Sequence, residues 1–217
     1  MKSEKNFTYY YKKIEEFGIA FFKLTQRGNM NSASQTTEII NNFNPKYIIL
    51  VGIAGGVKKN INLGDVAISD NVEYYEYKKV AQKKHNHDQL LSHHLLRTLE
   101  TLFSMLEKSG KIKIKTSRPD GKPKEETKVV HGLILSGETI QSGKLQIPQT
   151  YLEKNPIAFE TEAGGVGEAI YNTNRSEYIV IKGISDYVDV EESQTLRDMW
   201  RKYASEVAAA LYQQRMN

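Results

Sequence analysis

The sequence predicts an α/β fold with three layers, in which helices cover both faces of a mixed, mostly parallel twisted sheet. Two stretches, Tyr47–Val51 and 178–184, are apolar at nearly every position, as strands are when both faces of their sheet are covered. Segments with helical spacing lie between and after such strands, and this alternation is typical of the α/β class. Because the 217 residues contain no internal repeat or interdomain linker, we expect a single domain over residues 1–217.

Composition indicates an ordinary globular protein. The chain is 39% hydrophobic and 26% charged, and it contains no cysteine, which excludes disulfides, thiolate nucleophiles and cysteine-ligated metals. No apolar run approaches the roughly 18 residues that a membrane-spanning helix needs, and the first residues lack the apolar core of a signal peptide. The sequence therefore predicts a cytoplasmic protein without a membrane partner.

Basic residues form two groups in a chain of net charge +4, at 78–84 and at 111–124. Two solvated loops account for such groups; the alternative is that one group helps to hold a polyanion such as the phosphates of a nucleotide. Nucleic acid is not an expected partner, because the chain has no helix-turn-helix, RNA-recognition motif or array of stacking aromatic residues.

The first quarter of the chain predicts a hairpin, a helix and a buried strand. Phe7–Ile14 and Gly18–Leu24 are rich in β-branched and aromatic residues and flank a short polar turn. After a polar loop, Ser32 is the expected N-cap of a helix that ends near Asn42. The strand Tyr47–Val51 follows.

The rest of the chain continues the alternation. Short strands are expected at Val66–Ser69 and Val72–Tyr77, and leucines at helical spacing predict a helix over 89–107. Residues 109–127, rich in lysine, proline and glycine, are expected to form an exposed excursion. The remaining predicted elements are a strand at Val129–Leu135, a helix beginning near Glu162, a strand over 178–184 and a terminal helix over 191–214.

Three of these strands end in loops suited to a ligand, since ligands of α/β sheets bind just beyond the carboxyl ends of the strands. The loop Gly52–Gly56 contains small residues, which let the backbone approach a ligand closely. Ser136–Thr139 follows a second strand, and Ser185 and Asp186 follow the apolar strand over 178–184. Asp186 is therefore expected at the rim of a cleft, where it does chemistry; an N-cap of a following turn is its structural alternative.

A second carboxylate is expected on the interior side of the protein. Glu162 begins a helix whose positions Val166 and Ile170 lie on the same face at i+4 and i+8. Its structural alternative is a carboxylate in the first turn that interacts with the helix dipole.

Other site types find little support. The chain lacks the Gly-rich phosphate loop of P-loop ATPases, the dinucleotide-binding Gly-x-Gly-x-x-Gly and the nucleophile elbow Gly-x-Ser-x-Gly. His85 and His87 lie among lysines with no third metal ligand nearby. We therefore expect no metal site and a solvated loop at these histidines.

Six short motifs occur in a characteristic order along about residues 18–212. They are Gly28–Ala33, Val51–Gly56, Leu63–Val66, Ser136–Thr139, Glu160–Ala163 and Ile184–Asp186. In this order they resemble the nucleoside phosphorylase/nucleosidase superfamily, which includes methylthioadenosine/S-adenosylhomocysteine nucleosidases and purine nucleoside phosphorylases. The chain is also similar to phosphorylase-superfamily domains of bacterial and fungal defence proteins, some of which are ATP nucleosidases.

The resemblance implies catalytic roles for the two carboxylates. Cleavage of an N-glycosidic bond passes through an oxocarbenium-like sugar, and the purine must leave as a neutral base. By resemblance, Asp186 is the acid that protonates purine N7, and Glu162 grips the ribose 2′- and 3′-hydroxyls. The resemblance also places a set of residues around the substrate: Gly28, Met30, Ala54, Gly55, Ile140, Thr161 and Ser185.

Departures from the family pattern favour water over phosphate as the acceptor. Phosphorylases of the superfamily have arginine and serine where this chain has Leu50 and Ile53, and burying a phosphate without such partners is costly. Family nucleosidases activate the water with a glutamate on a first β-strand that this chain is expected to lack. Glu15, Glu16 and Glu138 are the unranked candidates for that role.

The sequence therefore predicts an N-glycosidase for a purine nucleoside or nucleotide, with ATP in a defence setting among the substrates considered. Arg27 and Lys58 are the candidate ligands of a 5′ phosphate. The resemblance implies a homodimer or larger homo-oligomer, and the reaction needs no metal or organic cofactor. Two alternatives stay open: a phosphate-dependent phosphorylase, and a nucleotide-sensing module without turnover.

Overall fold

The computed structural model describes residues 2–4, 7–14, 17–76, 116–139, 145, 147–191 and 194–210. The predicted helix over 89–107 lies outside the described residues, as do His85, His87 and the first part of the predicted excursion. None of the helices in the described ranges has the length and hydropathy that a membrane crossing requires. The elements are β1 (Lys2–Glu4), β2 (Phe7–Ile14), β3 (Phe17–Phe22), α1 (Asn29–Phe43), β4 (Tyr47–Gly56), β5 (Val66–Tyr74), β6 (Val129–Ser136), α2 (Gln149–Leu152), β7 (Ala158–Glu160), α3 (Ala163–Thr173), β8 (Glu177–Tyr187) and α4 (Gln194–Ala210).

Five strands form the central sheet, which closes on itself in the order β4-β7-β6-β5-β8. The pairs β4·β8, β5·β6 and β6·β7 are parallel, and β4·β7 and β5·β8 are antiparallel. The predicted mixed, mostly parallel sheet is therefore confirmed, and its closure is a feature that the sequence pattern did not indicate.

Strand β8 separates the two helical layers. Its residues Val180 and Ile184 belong to one buried cluster with α1 and α3, while Ile179 and Ile181 pack against Trp200 and its neighbours on α4. Successive side chains of a strand point to opposite faces, so a continuous apolar run has to be covered on both sides. This arrangement confirms the predicted three layers.

The predicted hairpin forms, and it belongs to a separate antiparallel sheet, β1-β2-β3. Tyr9 of β2 is buried; its ring stacks on Phe22 at a centroid distance of 5.3 Å and meets the edge of Phe43 at 5.1 Å. Because Phe43 is the last residue of α1, these aromatic contacts join the small sheet to the end of that helix.

The predicted N-cap of α1 is wrong. The helix begins at Asn29, three residues before Ser32, with Gly28 as its N-cap. Ser32 is buried inside the first turn, where its hydroxyl contacts the carbonyl oxygens of Asn29 (3.0 Å) and Glu162 (2.7 Å). Its polar side chain therefore serves a contact between helices rather than a helix end.

The two short strands predicted between residues 66 and 77 are one strand, β5. The polar run Ser69-Asp70-Asn71 suggested a break, but it contains a bulge in which Asp70 is the extra residue against β6. Ser69 is buried, and its hydroxyl accepts a hydrogen bond from the Val180 amide at 3.1 Å.

The described part of the predicted exposed excursion, residues 116–127, is anchored rather than free. The Arg118 side chain is only 5% exposed and lies over the rings of Trp200 and Tyr203 on α4. It donates to both carboxylate oxygens of Asp120 at 3.0 Å and to the Thr127 hydroxyl at 3.1 Å. Lysine, proline and glycine content predicted exposure, but one arginine with aromatic and acidic partners fixes the segment on α4.

Candidate active site

The ends of β4 and β8 lie side by side and carry four of the predicted site residues. Ala54 pairs with Ile184, but the next residue, Gly55, pairs with Asp186, so Ser185 is the extra residue of a bulge. A bulge bends its strand locally and redirects side chains. Here it sets the direction of Asp186 one residue before β8 ends.

Ser185 fixes the Asp186 carboxylate. Its hydroxyl donates to Asp186 Oδ1 at 2.6 Å and lies 3.4 Å from the carbonyl oxygen of Ala54. Ser185 is buried, whereas Asp186 is half-buried. The buried Ser185 hydroxyl therefore holds one carboxylate oxygen of Asp186 from inside the protein.

Gly55 is required by close packing at the same place. A Cβ atom on Gly55 would overlap the Val188 side chain and would lie 3.6 Å from Asp186 Oδ2. Gly55 therefore leaves the space that the Val188 side chain occupies, and the predicted approach of this backbone to a ligand stays a prediction.

The second predicted acid, Glu162, belongs to a buried ion triad with Lys182 at its centre. Lys182 Nζ lies 3.0 Å from Glu160 Oε2 and 3.2 Å from Glu162 Oε2. The side chains of Lys182 and Glu160 are almost fully buried, and that of Glu162 is 16% exposed. Of the two carboxylates, Glu162 is thus the one that a ligand can reach.

The triad keeps Glu162 ionised. Burial is the largest single influence and opposes ionisation, but the charge of Lys182 and hydrogen bonds from Thr161, Lys182 and the Gly28 amide outweigh it, so the pKa of Glu162 is lowered. Burial likewise disfavours the charged form of Lys182, and its two carboxylate partners overcome this and raise the Lys182 pKa. The site therefore presents a carboxylate with fixed negative charge.

Glu160, not Glu162, caps helix α3. The Glu160 carboxylate accepts the amide of Glu162 at 3.0 Å and that of Ala163 at 2.9 and 3.0 Å. Glu162 is the N-cap residue by position but makes no side-chain capping bond. The helix-end role considered for Glu162 therefore belongs to Glu160, and Glu162 points to the interior side, as predicted.

Each of the two acids follows a hydroxyl residue that binds it. The Thr161 hydroxyl donates to Glu162 Oε1 at 2.5 Å, as Ser185 does to Asp186. Thr161 therefore binds Glu162, and its predicted place beside the sugar stays a prediction.

The Gly28 loop meets this acid through its backbone. Gly28 has a φ of 99°, a left-handed conformation that favours glycine, and its amide lies beside the Glu162 carboxylate, where it helps to lower the pKa of Glu162. The next amide, of Asn29, donates to both oxygens of Glu138 at 3.1 and 3.2 Å. The carboxylates of Glu162 and Glu138 thus both lie next to backbone amides at the beginning of α1.

Asn29 connects its own motif to the Ser136–Thr139 motif and to the beginning of α3. Its Oδ1 atom accepts the Ser136 hydroxyl at 2.9 Å and the Gly165 amide at 2.8 Å. The Ser136 hydroxyl also accepts the Gly164 amide at 3.0 Å. The end of β6, the beginning of α1 and the beginning of α3 are therefore held together at one point.

The remaining predicted residues have different surroundings. Met30 is 82% exposed on the first turn of α1, and Arg27 is exposed just before it. Lys58 is exposed beyond β4, with its amide bonded to Asp189 at 3.1 Å and its Nζ 5.8 Å from the Tyr187 ring centre. Among the described residues, Lys58 therefore contacts Asp189 and Tyr187, whereas the Arg27 carbonyl oxygen accepts a hydrogen bond from Asn31 at 2.8 Å. Ile140, Glu15 and Glu16 lie outside the described residues.

Sequence reasoning missed Lys182, Glu160 and Asn29. A signal for the first was present: a lysine inside the run Val180-Ile181-Lys182-Gly183-Ile184 is a charge in a strand covered on both faces, and such a charge needs a buried partner. The two glutamates of the Glu160-Thr161-Glu162 motif were the available partners. In the described ranges, no three metal-ligating side chains converge on one point.

The comparisons with known proteins agree on one family. The family model of the phosphorylase superfamily matches residues 2–213. A 5′-methylthioadenosine/S-adenosylhomocysteine nucleosidase of Staphylococcus aureus (strain MRSA252) is 28% identical over 188 residues, which cover 82% of this chain and 72% of the relative.

Solved nucleosidase structures share the fold. The 5′-methylthioadenosine/S-adenosylhomocysteine nucleosidase of Colwellia psychrerythraea 34H, in complex with adenine, superposes with a TM-score of 0.70 at 18% identity, covering 97% of this chain and 82% of that one. The Neisseria meningitidis enzyme, in complex with methylthio-immucillin-A, gives 0.65 at 18% identity, covering 94% and 87%. These likenesses confirm the predicted nucleoside phosphorylase-like fold.

Proposed function

The chain belongs to the phosphorylase superfamily, and we propose that it is a purine nucleosidase, which hydrolyses the bond between a purine base and ribose. Its curated relatives are nucleosidases, so the chain is an enzyme that cleaves N-glycosidic bonds. The observation that carries the proposal is that one strand, β8, positions both predicted acids. It ends in the bulge that directs Asp186, and its Lys182 holds Glu162.

Asp186 is the general acid of this proposal. The purine leaves easily only as a neutral base, so a proton has to reach N7 as the bond to C1′ breaks. A half-buried carboxyl group, held by Ser185 and flanked by the bare backbone of Gly55, is suited to meet the edge of a flat base. Ala54 and Gly55 form the neighbouring wall.

Glu162 is the proposed ligand of the ribose. Its fixed negative charge suits hydrogen bonds from the 2′- and 3′-hydroxyls, and bonds from neutral donors to a carboxylate are stronger than those between neutral groups. The same charge stabilises the positive charge that develops on the sugar. Thr161 and Gly28 bind the carboxylate from the protein side and so fix its orientation.

Water is the proposed acceptor. Leu50 and Ile53 of β4 supply neither a cation nor a hydroxyl for inorganic phosphate. The buried cation of the site, Lys182, already has two carboxylate partners at 3.0 and 3.2 Å. An entering phosphate would therefore meet the negative charge of Glu162 beside a cation that is already paired, which disfavours phosphorolysis.

The 5′ group of the substrate is proposed to be neutral. The curated relatives are named for 5′-methylthioadenosine and S-adenosylhomocysteine, and the strongly exposed Met30 offers apolar surface beside the Gly28 loop. A nucleotide such as ATP, in a defence setting, is the variant of this proposal in which Arg27 or Lys58 binds phosphate. The separate surroundings of those two residues favour the neutral group.

The test is a substrate comparison with the purified chain. Methylthioadenosine, adenosine, inosine, AMP and ATP are incubated with and without inorganic phosphate, and free base is measured by chromatography. We expect adenine from methylthioadenosine at a rate that does not depend on phosphate. Ribose 1-phosphate formation that scales with phosphate would indicate a phosphorylase, and binding without base release would indicate a sensing module.

A further inference from the structure

Hydrolysis needs a base for the attacking water, and of the three predicted candidates Glu138 is the one that the structure describes, beside the site carboxylates of Glu160 and Glu162. Glu160 and Glu162 share the charge of Lys182, and Glu160 also accepts two helix amides. Glu138 is exposed, and its carboxylate contacts the Asn29 amide and, at 3.5 Å, the Tyr74 hydroxyl. A carboxylate has about four lone-pair sites, so Glu138 keeps capacity to accept a proton from water.

Glu138 lies close to the acid that grips the sugar. The amides of Gly28 and Asn29 are successive; the first lies beside the Glu162 carboxylate and helps to lower its pKa, and the second donates to Glu138. The two carboxylates therefore flank the beginning of α1, so a ribose gripped by Glu162 would lie beside Glu138.

The position of Glu138 is fixed by its own surroundings. The amides of Glu138 and Thr139 donate to the Glu76 carboxylate at 2.8 and 2.9 Å. Burial, together with the charges of Glu138 and Glu76, raises the Tyr74 pKa to about 12, so the Tyr74 hydroxyl stays a donor toward Glu138. Hydrogen bonds therefore fix both the main chain and the side chain of Glu138.

Asn29 adds an independent sign of a ligand at this point. The residue is 6% exposed, and its Nδ2 atom has no hydrogen-bond partner among the residues that the structure describes. Buried donors are rarely left unpaired, and such an atom next to a site is where a substrate oxygen or an ordered water is expected. The same residue presents its backbone amide to Glu138.

We propose that Glu138 is the general base that activates the hydrolytic water, an inference that rests on the proposed nucleosidase function. Glu138 accepts one proton from water as the water oxygen bonds to C1′. The C1′–N9 bond breaks, its electron pair passes to the purine, and Asp186 delivers a proton to N7. The products are the free sugar and a neutral base, and the two side chains exchange their protons with solvent afterwards.

The experiment compares the wild-type chain with Glu138→Gln, Glu138→Ala and the control Glu73→Gln. Glutamine keeps an oxygen for the Asn29 amide but removes the base. Glu73 lies on β5 and pairs with Lys154 at 2.6 Å, so its variant changes the same charge outside the site. Adenine release from methylthioadenosine is measured together with the dissociation constant of adenine, and Glu138→Ala is also assayed with added sodium azide or formate.

We expect Glu138→Gln to lower kcat by about 10²-fold or more, as loss of a general base does, while adenine still binds. Azide or formate should restore turnover to Glu138→Ala, and azide should yield the ribosyl azide. A helix-capping role alone would not give this rescue, so its absence contradicts the proposal. Wild-type rates in Glu138→Gln contradict it while leaving the nucleosidase function intact; a wild-type chain that releases no adenine overturns both.

Discussion

Lys182 determines the charge state of the acid that we assign to the sugar. A lysine in an apolar strand is costly unless it is paired, and here both partners come from one three-residue segment, Glu160-Thr161-Glu162. The same ion triad therefore fixes a local fold and a functional charge. The contribution of this triad to the free energy of unfolding can be measured separately from activity.

Replacing Lys182 with methionine should destabilise the protein strongly. Two carboxylates would lose their buried counter-charge, and breaking such a pair costs about 3–5 kcal/mol. The free energy of unfolding from urea titration measures the loss. In the double variant Lys182→Met/Glu160→Gln, part of the stability should return because one unpaired charge is gone; equal losses in both variants would contradict the account of the triad.

The triad also predicts the pH dependence of stability. The Glu162 pKa is lowered from 4.5, so its contribution is present above that value and is lost as pH falls through the folded pKa. The Lys182 pKa is raised from 10.5, so its contribution is present below that value and is lost as pH rises through the folded pKa.

Urea midpoints measured across the pH range test this dependence. Glu162→Gln should flatten the acid side of the stability profile relative to wild type. If the urea midpoint of that variant fell at low pH as steeply as that of the wild type, the charge of Glu162 would not contribute to the stability of the protein.

The elements of the site are joined where α1 meets α3. Gly165 lies against the backbone of Asn29 so closely that a Cβ atom would overlap the Asn29 carbonyl oxygen. Its amide also donates to Asn29 Oδ1 at 2.8 Å. This contact keeps the Gly28 amide at Glu162, and it depends on a glycine that has nothing to do with proton transfer.

Gly165→Ala should therefore impair both stability and activity. Overpacking of this kind costs about 1–3 kcal/mol, and the forced separation of α1 from α3 would move Gly28 away from Glu162. Gly167→Ala on the same helix is the comparison, because its Cβ would approach the side chain of buried Tyr178 rather than the backbone of α1. If both variants had the same stability and the same KM, the α1–α3 contact would not control the site.

Across the whole molecule, the 116–127 segment is attached to α4 by Arg118. Hydrogen bonds that involve a charged group contribute about 1.5–3 kcal/mol, so Arg118→Ala should lower the free energy of unfolding by about that amount. Lys122→Ala is the matched control, because Lys122 is exposed and its ion pair with Glu126 spans 3.8 Å. A loss no larger than that of the control would mean that the arginine does not anchor the segment.

Fold class was predictable because apolar periodicity reports burial on each face of an element. The strands predicted at Tyr47–Val51 and 178–184 followed from it, and so did the two helical layers around them. Both strands extend further than predicted, to Gly56 and Tyr187, so that the predicted loop Gly52–Gly56 is part of a strand. Sheet closure was not predictable in this way, since it depends on which strands pair, and residues distant in sequence decide that. The burial of Arg118 was missed for the same reason: its partners Trp200 and Tyr203 are about 80 positions away.

The site was predicted in part for a similar reason. Asp186 and Gly55 belong to strand ends that a parallel pair brings together, and Ser185 and Thr161 each precede the acid that they bind. The bulge at Ser185 and the triad of Lys182 could not be read from local pattern, because both arise from contacts between strands and loops.

Release of adenine by Asp186→Asn is the most direct measurement of the central claim, that a carboxyl group on the bulged end of β8 protonates the leaving base. Asparagine keeps the shape and the bond to Ser185 but cannot donate a carboxylic proton. We expect adenine release from methylthioadenosine to fall about 10²- to 10⁴-fold, with adenine binding retained and Asp198→Asn on α4 unaffected. Release by Asp186→Asn at the wild-type rate would contradict the assignment of this acid and with it the proposed mechanism.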